Sequence, residues 1–255
     1  MRARHDFDLG GKTALVIGGS SGIGRALAMG FRQAGATVAI AGRTAQKLDE
    51  VIAELGPADK TCAYVADVRS RAALDTLAAE IITAHGQIDI LVNCQGTTVI
   101  KPALEVTEED YDTILDTNLK SVFFACTVFG AHMIRQGGGT IINIASLSAH
   151  NGWAQAAPYS ASKWGVVGCT KTLAAEWGRD NVRVNAIAPG FFMTDLNRQR
   201  MSEDRKSEAR NRTAMQRMGE LHELVGAAIF LASPASGFVT GSVLNVDGGY
   251  LASGI

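Results

Sequence analysis

The chain has 255 residues, 47% of them hydrophobic, and a formal charge of -1 with acids and bases interspersed; it can bury a large core in one domain and carries no basic stripe of the kind that binds nucleic acid. Four scattered cysteines (Cys62, Cys94, Cys126, Cys169) with no Cys-x-x-Cys pair, and five histidines with no His-Glu-x-x-His spacing, indicate neither a disulfide framework nor a metal site. The N-terminus is charged without a following apolar h-region, and no stretch is long and apolar enough to span a bilayer, so a soluble cytoplasmic protein is expected.

Down the chain a short apolar run, a turn and a longer amphipathic run recur. Strands are predicted at 13–17, 37–41, 61–65, 90–92, 140–144, 182–187 and 243–246; they are apolar nearly throughout, as strands covered on both faces should be. Helices are predicted at 23–33, 45–55, 71–84, 108–135, 158–178 and 221–232, the fourth opened by a capping box of Thr107 and Asp110. This alternation implies an α/β fold, a doubly wound parallel sheet with helices on both faces. With no linker to divide it, the chain is read as a single domain over 1–255.

Residues 191–219 break the rhythm. They carry Arg198, Arg200, Arg205, Lys206, Arg210, Arg212 and Arg217 and are sparse in apolar residues apart from methionines. A solvated insertion and a mobile lid over a site both fit such a segment.

The first chemistry-bearing motif is Gly18-Gly19-Ser20-Ser21-Gly22-Ile23-Gly24, placed between the first strand and the first helix. There glycines permit a tight turn and close approach of the backbone to a pyrophosphate resting on the helix N-terminus. The same letters fit the Gly-x-Ser-x-Gly elbow of a serine hydrolase. An elbow on the first strand would lack the upstream loop that completes an oxyanion hole, and the late histidine, His222, falls in a helical segment. About twenty residues after the glycines, NAD-binding folds place an acid on the ribose 2′-hydroxyl. Here that region offers Gly42 and Arg43, and arginine suits a 2′-phosphate. NADP(H) is the expected cofactor and NAD(H) the alternative; the bland reading of Arg43 is a solvent-facing turn residue.

The second motif lies in residues 145–163, between a strand and a long helix. Tyr159 and Lys163 are four apart, on one helix face, and Ser146 stands at the strand end. An ammonium beside a phenol favours the phenolate, which would make the tyrosine a usable acid or base near neutral pH. Ser148 is a rival for the serine's role. Ser160-x-x-Lys163 also matches the Ser-x-x-Lys of penicillin-binding enzymes, without the rest of that set.

Taken together these motifs resemble the short-chain dehydrogenase/reductase family, its subclass of about 250 residues, from about residue 7 to 250. The family's Thr-Gly-x-x-x-Gly-x-Gly aligns on Ile17 to Gly24, with Ile17 replacing the usual threonine. Asp67-Val68 matches the adenine-contacting pair. The family's Asn-Asn-Ala-Gly appears as Asn93-Cys94-Gln95-Gly96, only its ends kept. Asn118, Ser146, Tyr159 and Lys163 match the catalytic tetrad, and Pro189-Gly190-Phe191-Phe192-Met193-Thr194 the nicotinamide-side turn, with Phe192 and Thr194 at the carboxamide positions.

The resemblance implies a Rossmann-like fold and hydride transfer between a nicotinamide and a secondary alcohol or ketone. Tyr159 would move the proton, Lys163 would lower the tyrosine pKa and bond the nicotinamide ribose, Ser146 would donate to the carbonyl oxygen, and Asn118 would hold a water linking Lys163 to solvent. Cofactor contacts are expected at Gly18, Ser20, Ser21, Gly22, Ile23, Gly24, Arg43, Asp67, Val68, Asn93, Gly96, Tyr159, Lys163, Pro189, Gly190, Phe192 and Thr194. Substrate contacts are expected at Gln95, Ser146, Trp153 and Tyr159, with His150, Asn151 and Gln155 facing the substrate too, and with Phe191, Met193 and Met201 as further apolar lining. The run Ala174 to Gly178 and the turn at 189–195 look like relatives that act on sugar acids and polyols; 3-oxoacyl-carrier-protein reductases share the tetrad and are the alternative. A non-catalytic nucleotide-sensing or scaffold protein is the alternative of another class, which an intact tetrad argues against. A small-molecule substrate, no nucleic acid or membrane partner, and a homotetramer are the expected associations.

Overall fold

The computed structural model describes residues 6–56, 58–194, 197–198 and 201–253. Arg200 and Asp195, part of the basic segment and of the turn before it, lie outside the described residues, as do the charged first five residues. The strands are β1 (Thr13–Ile17), β2 (Thr37–Gly42), β3 (Thr61–Val65), β4 (Ile90–Asn93), β5 (Gly139–Ile144), β6 (Val182–Pro189) and β7 (Val243–Val246). They form one sheet in the order β3-β2-β1-β4-β5-β6-β7, each neighbouring pair parallel.

The apolar runs are explained by two-sided burial. Successive side chains of a strand point to opposite faces. On β1, Leu15 and Ile17 enter one core with α3 (Arg71–His85), α5 (Ser121–Arg135) and α6 (Ala157–Trp177). Ala14 and Val16 enter the other with α1 (Gly22–Gln33), α2 (Ala45–Leu55) and α8 (Val225–Ala232). Strand order reverses between β1 and β4, and in such sheets ligands bind beyond the carboxyl ends of the strands at that reversal.

Two predicted helices are less regular than their patterns imply. The stretch 108–135 divides into α4 (Glu108–Leu115), a π-helical turn (Asp116–Lys120) and α5. The Thr107–Asp110 capping box at its start is formed in both directions. In the π turn the Ser121 N–H reaches the Asp116 carbonyl, five residues back, and the extra residue is the kind of insertion that re-aims a side chain at a site. Asn118 sits in that turn, fully buried. At 221–232 the first turn is 3-10 (Leu221–Leu224) and α8 follows it.

The segment at 191–219 contains α7 (Glu203–Arg212), N-capped by the Ser202 hydroxyl, which accepts from the Arg205 N–H at 3.3 Å. Its two ends are pinned together. Gly219 N donates to the Phe191 carbonyl at 2.9 Å and Met193 N to the Gly219 carbonyl at 3.0 Å, making a bridge of Phe192 with Gly219. The segment is therefore a long excursion closed at its base.

Candidate active site

A cleft of about 1000 Å³ opens over the carboxyl ends of β1, β2, β4, β5 and β6. The glycine turn forms one wall. Gly18 has a φ of +79°, and a Cβ there would come within 2.9 Å of the Cys94 and Gln95 backbone; a Cβ on Gly24 would collide with the Gly18 carbonyl. Glycine is needed at both places to bring the turn this close to β4 and to its own helix. Ser21, the N-cap residue of α1, makes no capping bond with its side chain, so the helix end faces the cleft with its positive pole available to a phosphate. The residues present therefore fit a dinucleotide.

Ser20, Ser21, Gly22, Ile23, Arg43, Asp67, Val68, Gly96, Pro189, Gly190, Phe192 and Thr194 all line this cleft with Gly18 and Gly24. Arg43 is exposed at its edge. Asp67 is held well below its usual carboxylate value, first by its hydrogen bonds to the Arg69 side chain, which grips it from Nε and Nη2 (2.9 and 2.5 Å). Arg69 also lines the cleft and was missed from sequence, although it stands two residues from a motif that was not.

Asn93 departs from expectation. Its side chain turns away from the cleft and donates to Asn143 Oδ1 at 2.8 Å and to Cys126 Sγ at 3.3 Å. Asn143 in turn donates to Thr170 Oγ1 at 3.0 Å. This buried chain ties β4 to β5 and to α6, so Asn93 acts beneath the site and not on the cofactor. Strand alternation is the reason: Asn93 is the residue whose side chain faces the α5–α6 side, and the chain emerges into the cleft only at Cys94.

The catalytic candidates converge from β5, α6 and the π turn. Ser146 is buried, and its Oγ accepts from the Ser148 N–H at 3.2 Å, which leaves its own proton free to donate. That hydroxyl is the side chain that draws the Tyr159 pKa down. Ser148 is also buried, but its hydroxyl has no partner and does not line the cleft, so of the two serines Ser146 is the one that shares the cleft with the tyrosine. Burial raises the Tyr159 pKa above its ordinary value, the Ser146 bond pulls it back, and Cys94 adds to the rise.

Lys163 Nζ donates to the Ile144 carbonyl at 2.7 Å and lies 5.8 Å from the Tyr159 ring centre. Burial lowers the lysine itself to about 8. Beside it burial pushes the Cys94 thiol up to about 12, with Lys163 drawing it down.

Asn118 is committed on both sides of its amide. Oδ1 accepts from Thr97 N at 2.7 Å, and Nδ2 donates to the Thr97 carbonyl at 2.9 Å and to Ser162 Oγ at 3.2 Å. The side chain thus pairs with the backbone of the β4 exit loop and with α6, and does not line the cleft.

Over the tyrosine stands an aromatic wall. Trp153 stacks on Phe191 (5.3 Å, 5° between planes) and on Tyr159 (6.5 Å, 25°), and Phe191 meets Tyr250 edge-on at 5.6 Å. The Trp153 indole N–H is buried without a partner. Met201 lines the cleft while Met193 does not; His150, Asn151 and Gln155 do not either. Gln95 lines it, with Nε2 on Ser121 Oγ at 3.1 Å and Oε1 unpartnered. Among the described residues no histidine is part of the lining, which argues against the serine-hydrolase reading of Ser20.

A family model described as enoyl-(acyl carrier protein) reductase matches residues 17–251. The chain belongs to the short-chain dehydrogenase/reductase family. It is 38% identical over 247 residues to the D-threitol dehydrogenase of Mycolicibacterium smegmatis, covering 96% of this chain and 95% of that protein. It is 39% identical over 249 residues to the gluconate 5-dehydrogenase of Gluconobacter oxydans, covering 97% of each. Among solved structures, a gluconate 5-dehydrogenase from Burkholderia cenocepacia in complex with NADP and tartrate superposes with a TM-score of 0.94 at 36% identity, over 99% of this chain and 100% of that one. As a short-chain dehydrogenase/reductase the protein is an NAD(P)-dependent oxidoreductase that interconverts a secondary alcohol and a ketone by hydride transfer.

Proposed function

We propose that the protein is an NADP(H)-preferring dehydrogenase of a polyol or sugar acid, acting through Tyr159, Ser146, Lys163 and Asn118. The observation that carries this is that Ser146, Tyr159 and Lys163 line the same cleft as the glycine turn. Relatives named for threitol and gluconate support the substrate class, and Arg43 at the cleft edge, with no acid in its place, supports NADP(H).

The glycine turn and the α1 N-terminus would hold the pyrophosphate, Arg43 the 2′-phosphate, Asp67 and Val68 the adenine, and Pro189 to Thr194 the nicotinamide. The bound nicotinamide supplies or accepts the hydride at the substrate carbon. At the substrate oxygen, the Tyr159 hydroxyl gives or takes the proton, and the Ser146 hydroxyl donates a hydrogen bond that strengthens as negative charge develops there. A phenol raised by burial stays protonated at neutral pH, which suits donation in the reducing direction. Lys163, anchored on the Ile144 carbonyl, keeps a buried positive charge beside the site. Asn118 positions the loop after β4 through Thr97.

We assign the chain a single catalytic domain with 191–219 as its lid, and a soluble cytoplasmic homotetramer as its working form. The exposed Tyr111, Phe123 and Trp164 on α4, α5 and α6 support association through that side. No helix among the described residues is long and apolar enough to cross a membrane. The purified protein is to be tested with either cofactor on polyols, aldonates and keto acids, following absorbance of the reduced nicotinamide. Turnover of at least one class, abolished by Tyr159→Phe, is expected; no turnover on any class would refute the reading.

A further inference from the structure

The basic residues of the lid are not alike. Lys206 is buried and pairs with Glu203 at 2.8 Å while donating to the Arg198 carbonyl at 3.2 Å. Arg212 pairs with Glu208 at 3.1 Å, and Arg217 grips both oxygens of Glu223 at 2.6 and 2.7 Å. These cations hold the lid together.

Arg205 does something else. The Ser202 cap fixes its backbone in the first turn of α7, its side chain is half-buried, and it lines the cleft. Among the described residues it has no carboxylate within ion-pair distance, although Glu203, Asp204 and Glu208 are its sequence neighbours. A half-buried guanidinium left without an anion gives up hydration with no ion pair in return, an arrangement suited to a ligand that brings the anion.

The charge around the cleft points the same way. Among the described residues, its charged lining consists of Arg43, Asp67, Arg69, Lys163 and Arg205. The one carboxylate among them, Asp67, is taken by Arg69 near the ends of β2 and β3. Lys163 and Arg205 are therefore uncompensated, and a cleft lined by one sign of charge concentrates the opposite sign. The phosphates of a dinucleotide have their own positive groups in the α1 N-terminus and Arg43, which leaves Arg205 for the substrate.

We propose that Arg205 binds the carboxylate of the substrate, so that the enzyme takes a polyhydroxy acid in preference to the neutral polyol of the same length. The planar guanidinium presents two parallel N–H groups to a carboxylate, a match that an ammonium or a hydroxyl lacks. The Trp153–Phe191 stack offers an apolar wall for the carbon chain of such an acid. This rests on the dehydrogenase reading above and narrows it from polyol or sugar acid to sugar acid.

The test compares wild type with Arg205→Gln and Arg205→Lys, using D-gluconate and D-glucitol. Steady-state rates give KM and kcat for each substrate and for NADP+, and calorimetry gives D-gluconate binding to the NADP+-loaded enzyme. In Arg205→Gln, gluconate KM and Kd should rise about tenfold or more. Its kcat, the glucitol parameters and KM for NADP+ should stay within about twofold, and Arg205→Lys should recover part of the loss. Added salt should raise the gluconate KM of wild type and leave that of Arg205→Gln nearly flat. Equal losses on both substrates, or a raised KM for NADP+ with unchanged gluconate binding, would overturn the assignment. Wild-type turnover of glucitol without gluconate binding would overturn it while leaving the dehydrogenase reading intact. Gluconate binding that depends on Arg205 without turnover would do the reverse.

Discussion

Lys163 Nζ lies 5.8 Å from the centre of the Tyr159 ring and gives its hydrogen bond to the Ile144 carbonyl, 2.7 Å away. Burial raises the pKa of the phenol, and the Ser146 hydroxyl draws it back down. Alcohol oxidation needs the phenolate as base, so kcat/KM for oxidation should climb with pH on the alkaline side of neutrality. Ser146→Ala removes the hydroxyl that lowers the phenol and should carry that limb to higher pH. It should also cost about 10²–10³ in kcat through loss of the donor to the substrate oxygen. Initial rates from pH 6 to 10 read both effects; a limb that stays put in the variant would detach Ser146 from the phenol.

Lys163 is 4% exposed, and burial lowers it from 10.5 to about 8. Between those two values the unfolded chain binds a proton that the folded chain does not, so stability rises with pH from about 8 to 10.5. Below 8 the buried charge imposes a constant cost. Lys163→Met removes the charge but also the bond to Ile144. It should be inactive yet more stable than wild type by roughly 1–3 kcal/mol at pH 7, the gain shrinking toward zero near pH 10.5. Urea unfolding at pH 7 and pH 10 measures this. A variant less stable at both would show that the carbonyl bond outweighs the buried charge.

Arg43 is exposed at the cleft edge and lines it beside Asp67. If it holds the 2′-phosphate, Arg43→Ala should raise KM for NADP+ by about 10–100-fold, the worth of a charge-assisted contact. KM for NAD+ should change little, because that cofactor has no phosphate there. Parallel shifts for both cofactors would return Arg43 to a plain turn residue.

The parts of this site that could be read from sequence are those set by backbone and local spacing. Apolar runs such as 13–17 and 90–92 gave the strands because both faces are covered, and the glycines at 18 and 24 announced a turn with no room for a side chain. The features that escaped depend on side-chain direction. Asn93 occupies a motif position yet faces the core, Lys163 is on the helix face of Tyr159 yet reaches a β5 carbonyl, and the π turn at Asp116–Lys120 has no periodicity signature in so short a span. The lid showed the same limit: its composition announced positive charge, but only the ion pairs separate Arg205 from Lys206, Arg212 and Arg217.

The chain from Asn93 through Asn143 to Thr170 joins β4, β5 and α6 in the interior, with Asn143 and Thr170 both 0% exposed. Ser146 follows β5 and Tyr159 belongs to α6, so this chain fixes the relative placement of the two groups that meet at the substrate oxygen. Thr170→Val strands the Asn143 amide and should cost about 1–3 kcal/mol of stability. Because the loss falls on alignment and not on cofactor contacts, kcat should drop while KM for NADP+ holds. Asn143→Leu alone should cost more, since it removes two hydrogen bonds at once and leaves Asn93 with only Cys126 and Thr170 with only the Val166 carbonyl. The double variant should lose less than the sum of the single changes, because Thr170 no longer has a partner to lose. Urea unfolding of the four proteins gives the coupling energy. Strict additivity would mean that the two side chains stabilise the sheet and α6 independently and do not transmit position to Ser146 and Tyr159.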